Sequence, residues 1–369
     1  MQTRIIFTVF ALSLAQVSSA DKFVCPKKCT CDSAVVACKL NHYYSKDFQN
    51  IPKNFKLIIQ SSRQVSFPDN SLPRVTELEI ISSGSEICDL AWNKSADHLE
   101  TLQLDGVQLR NTLKSLKILK ALRLLKINHA ELLGVDHRKW QMHFDQKSPL
   151  KFLFMFWTDL SLMTDMTLPK SVESVKLDDC NLTKIPKQFS DLNNLQSLSL
   201  ENNKIQTLEN LPKNVHILML HGNQISEIKN IPPNTSQLDL SNNNITHIQN
   251  IPETVHLFYL SGNNIPSITE KSFKPNSHLA ELALAGNKHK NLTIAKTAFK
   301  NTPRLHLIDL RATDFAAPLE AFTRLKSLTQ LLVSPQYNAF CDRLNKIFSS
   351  KVCSTRTSTY KFALVSYVN

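Results

Sequence analysis

The sequence predicts an α/β solenoid, a coil whose turns each lend one short strand to a concave parallel sheet, with a disulfide-closed cap at either end. Three observations carry this. The first is a period: from residue 195 the chain reads LQSLSLENNKI, VHILMLHGNQI, TSQLDLSNNNI, VHLFYLSGNNI and LAELALAGNKH, five copies of LxxLxLxxNxL with one or two substitutions each. The second is its extent. Weaker copies begin at Phe55, Val75, Leu99, Leu122, Leu150 and Val172 upstream and at Leu305 and Leu328 downstream, about thirteen strand starts in all. The third is that most cysteines cluster outside the repeats, at the two ends.

The first twenty residues carry one cation, Arg4, then an apolar stretch Ile5–Ala15 and small residues Ser18 and Ala20, the pattern of a signal peptide cleaved after Ala20. No later apolar run reaches the ~20 residues of a membrane-spanning helix, so the expected product is secreted, with no transmembrane segment. Five sequons, at Asn93, Asn181, Asn234, Asn244 and Asn291, agree with export and mark expected N-glycan positions. The expected divisions are a leader over 1–20, an N-terminal cysteine cap over 21–54, repeats over 55–333, and a C-terminal cap with tail over 334–369.

Within each period LxxLxL reads as a strand whose leucines point inward, and a single turn cannot bury them, so neighbouring turns must stack. Asn203, Asn223, Asn243, Asn263 and Asn287 share one template position, where an amide can hydrogen-bond buried backbone groups through both its oxygen and its nitrogen; these are read as structural. Leu211-Pro212, Ile231-Pro232 and Ile251-Pro252 suit an extended convex segment, and the longer periods 122 to 150 and 279 to 305 leave room for a short helix.

The repeat resembles that of extracellular leucine-rich-repeat (LRR) proteins, and Cys25-Pro26-Lys27-Lys28-Cys29-Thr30-Cys31 with Cys38 is similar to the N-terminal cap of that group. The resemblance implies a right-handed horseshoe, pairing of Cys25 with Cys31 and of Cys29 with Cys38, and a binding role without catalysis. Cys341 and Cys353 fit a one-disulfide C-terminal cap, which departs from the commoner four-cysteine form. The N-cap spacing also resembles that of small leucine-rich proteoglycans, although no Ser-Gly precedes Cys25. Soluble arthropod immune LRR proteins are a second resemblance, although the chain carries no C-terminal heptad region. Cys180 replaces the template Asn and is read as a buried thiol. For Cys88 two readings stand, a buried free thiol or an intermolecular disulfide linking two chains, which the non-reducing gel mobility of Cys88→Ser separates.

Binding must use side chains that the core leaves free. By alternation, Phe152, Phe154, Phe156 and Trp157 project from the concave sheet, either as an interface or beneath a covering loop, unless the register is off by one and they turn inward. Lys126, Asn128, Lys176, Asp178, Met219, His221, Asp239 and Tyr259 are the exposed candidates beside them. The formal net charge is +12, and the window from Arg110 to Lys151 holds ten cations against three acids. Such an excess favours an extracellular protein or an anionic glycan, or is a solvated face; export argues against nucleic acid. A concave-face dimer is a further way to occupy that surface. No catalytic, metal-binding or cofactor-binding motif is present, so neither enzyme activity nor a cofactor is expected.

Overall fold

The computed structural model describes residues 24–40, 51–52, 54–61, 75–82, 87–88, 96–109, 116–132 and 140–355. The predicted leader, Asn93, the tail from 356, the side chain of Cys88, and Arg110, Lys114, Arg138 and Lys139 of the basic window lie outside the described residues. One sixteen-stranded sheet runs the length of the molecule. Its thirteen repeat strands, from Lys56–Ser61 through Phe152–Phe156, Ser174–Asp178 and Gln237–Asp239 to Gln330–Val333, pair in parallel and in sequence order. Each starts one or two residues after the position where the leucine pattern begins.

The alternation places one set of side chains in a continuous interior: Leu125, Ile127, Leu153, Met155, Val175, Leu177, Leu198, Leu218 and Leu238 are all fully buried. Turns stack about 4.8 Å apart, so each leucine is sandwiched between its equivalents above and below. The interior is one cluster from Val36 in the first cap to Cys353 in the last.

Stacking leaves main-chain groups at each turn shut away from water, and the template Asn meets that demand. Oδ1 of Asn223, Asn243 and Asn263 accepts from the N–H of Ile205, Ile225 and Ile245 at 3.0, 2.9 and 2.9 Å, while Nδ2 donates to the carbonyls of Leu200, Leu220 and Leu240 at 2.8, 2.9 and 2.9 Å. Asn203 joins Leu182 N and Leu177 O in the same way, and Asn287 accepts from Ile265 N. Where Asn is absent, other side chains substitute. Thr313 Oγ1 accepts from Asn287 N and donates to Leu284 O, Thr158 Oγ1 accepts from Ala130 N, and Cys180 Sγ donates to the Asp178 carbonyl.

The residue just before each ladder position turns the chain through the left-handed region: Gly106, His129, Trp157, Asp179, Asn202, Gly222, Asn242, Gly262, Gly286 and Ala312 all have φ between 47° and 71°. Consecutive corners bond across turns, as in Asn202 N to His221 O and Gly222 N to Ser241 O. Gly222 and Gly262 are required twice over, because a Cβ there would also collide with Oδ1 of Asn202 or Asn242 in the turn below.

Disulfides Cys25–Cys31 and Cys29–Cys38 close the first end, where the strand Cys29–Cys31 runs antiparallel to Val35–Leu40. At the other end α1 (Glu320–Thr323) precedes α2 (Asn338–Phe348), which buries Cys341 and Leu344 over the last repeat; Cys341 bonds to Cys353, and Asn345 clamps the Cys353 backbone from both sides. No helix among the described residues is long and apolar enough to cross a membrane.

The room that the two long periods leave for a short helix is taken up by strands in their described parts. The first carries strands Glu131–Leu132 and Trp140–His143, the second Leu292–Ile294. Each pairs in parallel with an adjacent turn, at Gln108–Leu109, Met163–Thr167 and Ser267–Ile268 respectively. Backbone demand is thus met between turns, where a helix would meet it within one.

Asn243→Ala would strand the Ile225 N–H and Leu220 carbonyl in the interior, at roughly 1–3 kcal/mol for each group left unsatisfied. Urea unfolding followed by circular dichroism should show a loss of about 3 kcal/mol, and Asn243→Thr, which copies Thr313, should lose less.

Candidate functional site

The concave face consists of three rows running across the strands. One row carries Leu124, Phe152, Ser174, Ser197, Ile217, Gln237 and Leu257 in register; the next carries Lys126, Phe154, Lys176, Ser199, Met219, Asp239 and Tyr259. In the third, Asn128, Phe156 and Asp178 are aligned, and Glu201 and His221 follow Ser199 and Met219 by the same two residues.

Facing the concave side does not make these residues exposed. Phe154, Met219, Asp239 and Tyr259 keep 8%, 9%, 7% and 4% of their surface, which corrects their reading as free contact residues. Rows spaced by one strand let each side chain cover the next. Lys176 lays its ammonium 5.3 Å from the Phe154 ring centre, and Phe152 meets the same ring from the neighbouring row at 6.1 Å. None of the four concave residues belongs to the interior cluster, so the strand register is the expected one.

Trp157 behaves differently. It does not alternate with Phe156 but occupies the left-handed corner after the strand, with φ 48°, and stays 55% exposed. Its indole lies flat on the His129 imidazole of the previous turn, centres 4.7 Å apart and planes 6° from parallel, and it meets Phe156 at 5.9 Å. His129 Nδ1 is 3.1 Å from Asp105 Oδ1 one turn further back. A rigid, half-exposed indole backed on one face is a low-entropy contact surface.

Beside it the face turns acidic, against the sign of the whole chain. Asp178 Oδ1 accepts from Ser199 Oγ at 2.6 Å and Glu201 N at 2.9 Å, and Asp239 Oδ1 from Ser241 N at 2.8 Å. Burial pushes Glu201 up to about 7, with Asp178 and Asp239 adding repulsion. Burial raises Asp178 and Asp239 as well, although hydrogen bonds from Ser199 and Glu201 oppose it at Asp178 and those from Ser241 oppose it at Asp239. His221 joins this group with Nε2 accepting from Asn242 Nδ2 at 3.2 Å. Ser174 Oγ, Gln237 Nε2 and Asn128 Oδ1, also on concave rows, are buried without a hydrogen-bond partner among the described residues.

Sequence reasoning named Asp178, Asp239 and His221 but passed over Glu201, which the same two-residue step beyond the strand would have found. It also passed over His129, whose signal was its position one turn before Trp157. In the basic window, Arg123 faces Glu100 at 3.6 Å and Lys151 binds Glu173 at 2.8 Å, so part of that excess is neutralised. Cys180 is fully buried, and its thiol is pushed up to about 12, which makes it inert at neutral pH.

A carboxyl whose folded-state pKa is raised favours folding below its unfolded value, and that contribution is lost as pH rises through the folded one. For Glu201 the window runs from 4.5 to about 7. Thermal melts should show Glu201→Gln removing a stability loss of at most about 3 kcal/mol across that range, leaving the variant more stable than wild type at pH 8.

No protein-family model matches the sequence, and no curated protein matches it. Solved structures do. YopM from Yersinia enterocolitica aligns at 16% identity and TM-score 0.51, over 73% of this chain and 56% of that one. The TLR13 chain of a TLR13–ssRNA13 complex aligns at 17% identity and TM-score 0.50, over 80% of this chain and 49% of that one. An LRR protein of Leptospira interrogans aligns at 18% identity over 83% of this chain and 93% of that one, with TM-score 0.44. The chain spans about half the length of the first two. At these identities the likeness is one of fold: the protein is built as a leucine-rich-repeat solenoid.

Proposed function

We propose that the protein is an exported, glycosylated recognition molecule without catalytic activity, binding a protein partner through the Trp157 corner and the adjoining concave rows. The half-exposed Trp157, held flat on His129 and joined to Phe156, is the observation that carries this reading. Large aromatics anchored in this way supply most of the energy of many interfaces. The leader-like segment, three disulfides and the exposed sequons at Asn234, Asn244 and Asn291 support an extracellular setting. The acidic group around Asp178, Glu201 and Asp239 favours a partner with cationic side chains, and disfavours RNA or sulfated glycan on that part of the face. Innate immune recognition is the setting that fits such a soluble receptor surface.

A matrix role is the second reading. It is favoured by the exposed Lys117, Lys120 and Lys147, which would hold a sulfated glycosaminoglycan away from the concave acids.

Crosslinking mass spectrometry of the secreted protein in its native fluid should return partner peptides joined near Trp157. Trp157→Ala should weaken capture at least tenfold without lowering the melting temperature, since the indole is half in solvent. A scaffold without a specific ligand would give the same crosslinks for both proteins. The matrix reading predicts instead that replacing Lys117, Lys120 and Lys147 by Ala lowers the salt concentration needed for elution from heparin.

A further inference from the structure

The lip of the sheet, where the chain enters each strand, changes character along the solenoid. Glu100, Arg123, Lys151 and Glu173 line it in the first half, and histidines in the second: His216, His256 and His306 each stand immediately before a strand, with His278 close by. Two of these rings are neighbours. His256 and His278 have centres 5.4 Å apart and planes tilted by 54°, so they are not stacked.

We propose that His256 and His278 form a binding site for a borderline divalent cation such as Zn2+, Ni2+ or Cu2+. Nδ1 of His256 lies 2.6 Å from the Thr254 carbonyl oxygen, which can only accept, so Nδ1 carries a proton and Nε2 is the nitrogen left to ligate in the neutral ring. Metal-bound histidines are held in this way, with the second nitrogen donating to a carbonyl or carboxylate that fixes the tautomer. The ring of His278 makes no hydrogen bond to another described residue. The spacing also fits. With metal–nitrogen bonds of about 2.0–2.1 Å, two imidazoles on one tetrahedral ion have centres roughly 5 Å apart. Ala280 stands between His256 and His306 in adjacent turns, donating its N–H to the His256 carbonyl and accepting from the His306 N–H. Glu281 and His306, with Oε1 and Nε2 3.9 Å apart, flank it. Among the described residues no three ligating groups converge on one point, so the chain supplies two ligands and the other positions go to water or to a donor from a bound molecule. Imidazole ligands select these ions over Ca2+ and Mg2+, with Cu2+ the tightest.

The test is calorimetric titration of the full secreted chain with ZnCl2 at pH 7.5, repeated with Cu2+ and read by electron paramagnetic resonance for nitrogen ligation. His216→Ala is the control, because His216 occupies the same lip position with Nδ1 3.1 Å from the Asn234 carbonyl, but no second imidazole among the described residues stacks or tilts against it. His256→Ala and His278→Ala should each weaken Zn2+ binding at least tenfold with unchanged circular dichroism, and His216→Ala should leave it as in wild type. The proposal is overturned if wild type takes up no Zn2+, if neither variant differs from it, or if His216→Ala loses as much as they do.

Discussion

Everything in this molecule depends on satisfying the main-chain groups that stacking seals inside. A solenoid buries leucine from both sides of every turn, and in doing so it also buries peptide N–H and C=O groups between turns, where water cannot reach them. One side chain resolves this in most turns, although Val107 and Ala130 hold the ladder position in two early ones. The amide of Asn is suited to the task because it accepts and donates at once, and Thr or Cys serves where a single hydroxyl or thiol suffices. The tight corner before each ladder residue is part of the same arrangement, since it brings the amide over the preceding turn, whose N–H and carbonyl it bonds. The site inherits that geometry: Trp157 is exposed because it occupies a corner, and it stacks on His129 because corners lie one above another.

The concave wall obeys a second rule of spacing. Side chains on neighbouring strands are close enough to bury one another even without a covering layer, so an aromatic such as Phe154 and a carboxylate such as Asp239 both become largely dry on an open face. For the phenyl ring this is favourable. For the carboxylates it is costly, and Glu201 shows the result by holding its proton close to neutral pH. A dry aromatic shelf beside incompletely compensated acids is the surface that the proposed cationic partner would meet.

Much of this was legible in the chain. The strand starts follow from the leucine pattern, and the ladder from the spacing of Asn203, Asn223, Asn243, Asn263 and Asn287, because both arise from a strict period. Thr158 and Thr313 were hidden, since their ladder role depends on bonds to Ala130 and Asn287 in other turns and not on residue type. The convex strands were missed for a similar reason: a segment such as Leu292–Ile294 is extended because its neighbour Ser267–Ile268 is, and local pattern does not report a neighbour. Exposure was misjudged at Phe154, Met219 and Tyr259 because alternation tells which way a side chain points but not what lies beside it.

The corner sequence Asn202, Gly222, Asn242, Gly262 ties each turn to the one beneath it. Each Gly sits where the Asn amide beneath occupies the space a Cβ would need. Asn202, by contrast, stands over Asp179 and donates to its Oδ2 at 3.3 Å, so a corner residue is chosen by what the turn beneath it presents as well as by its own backbone.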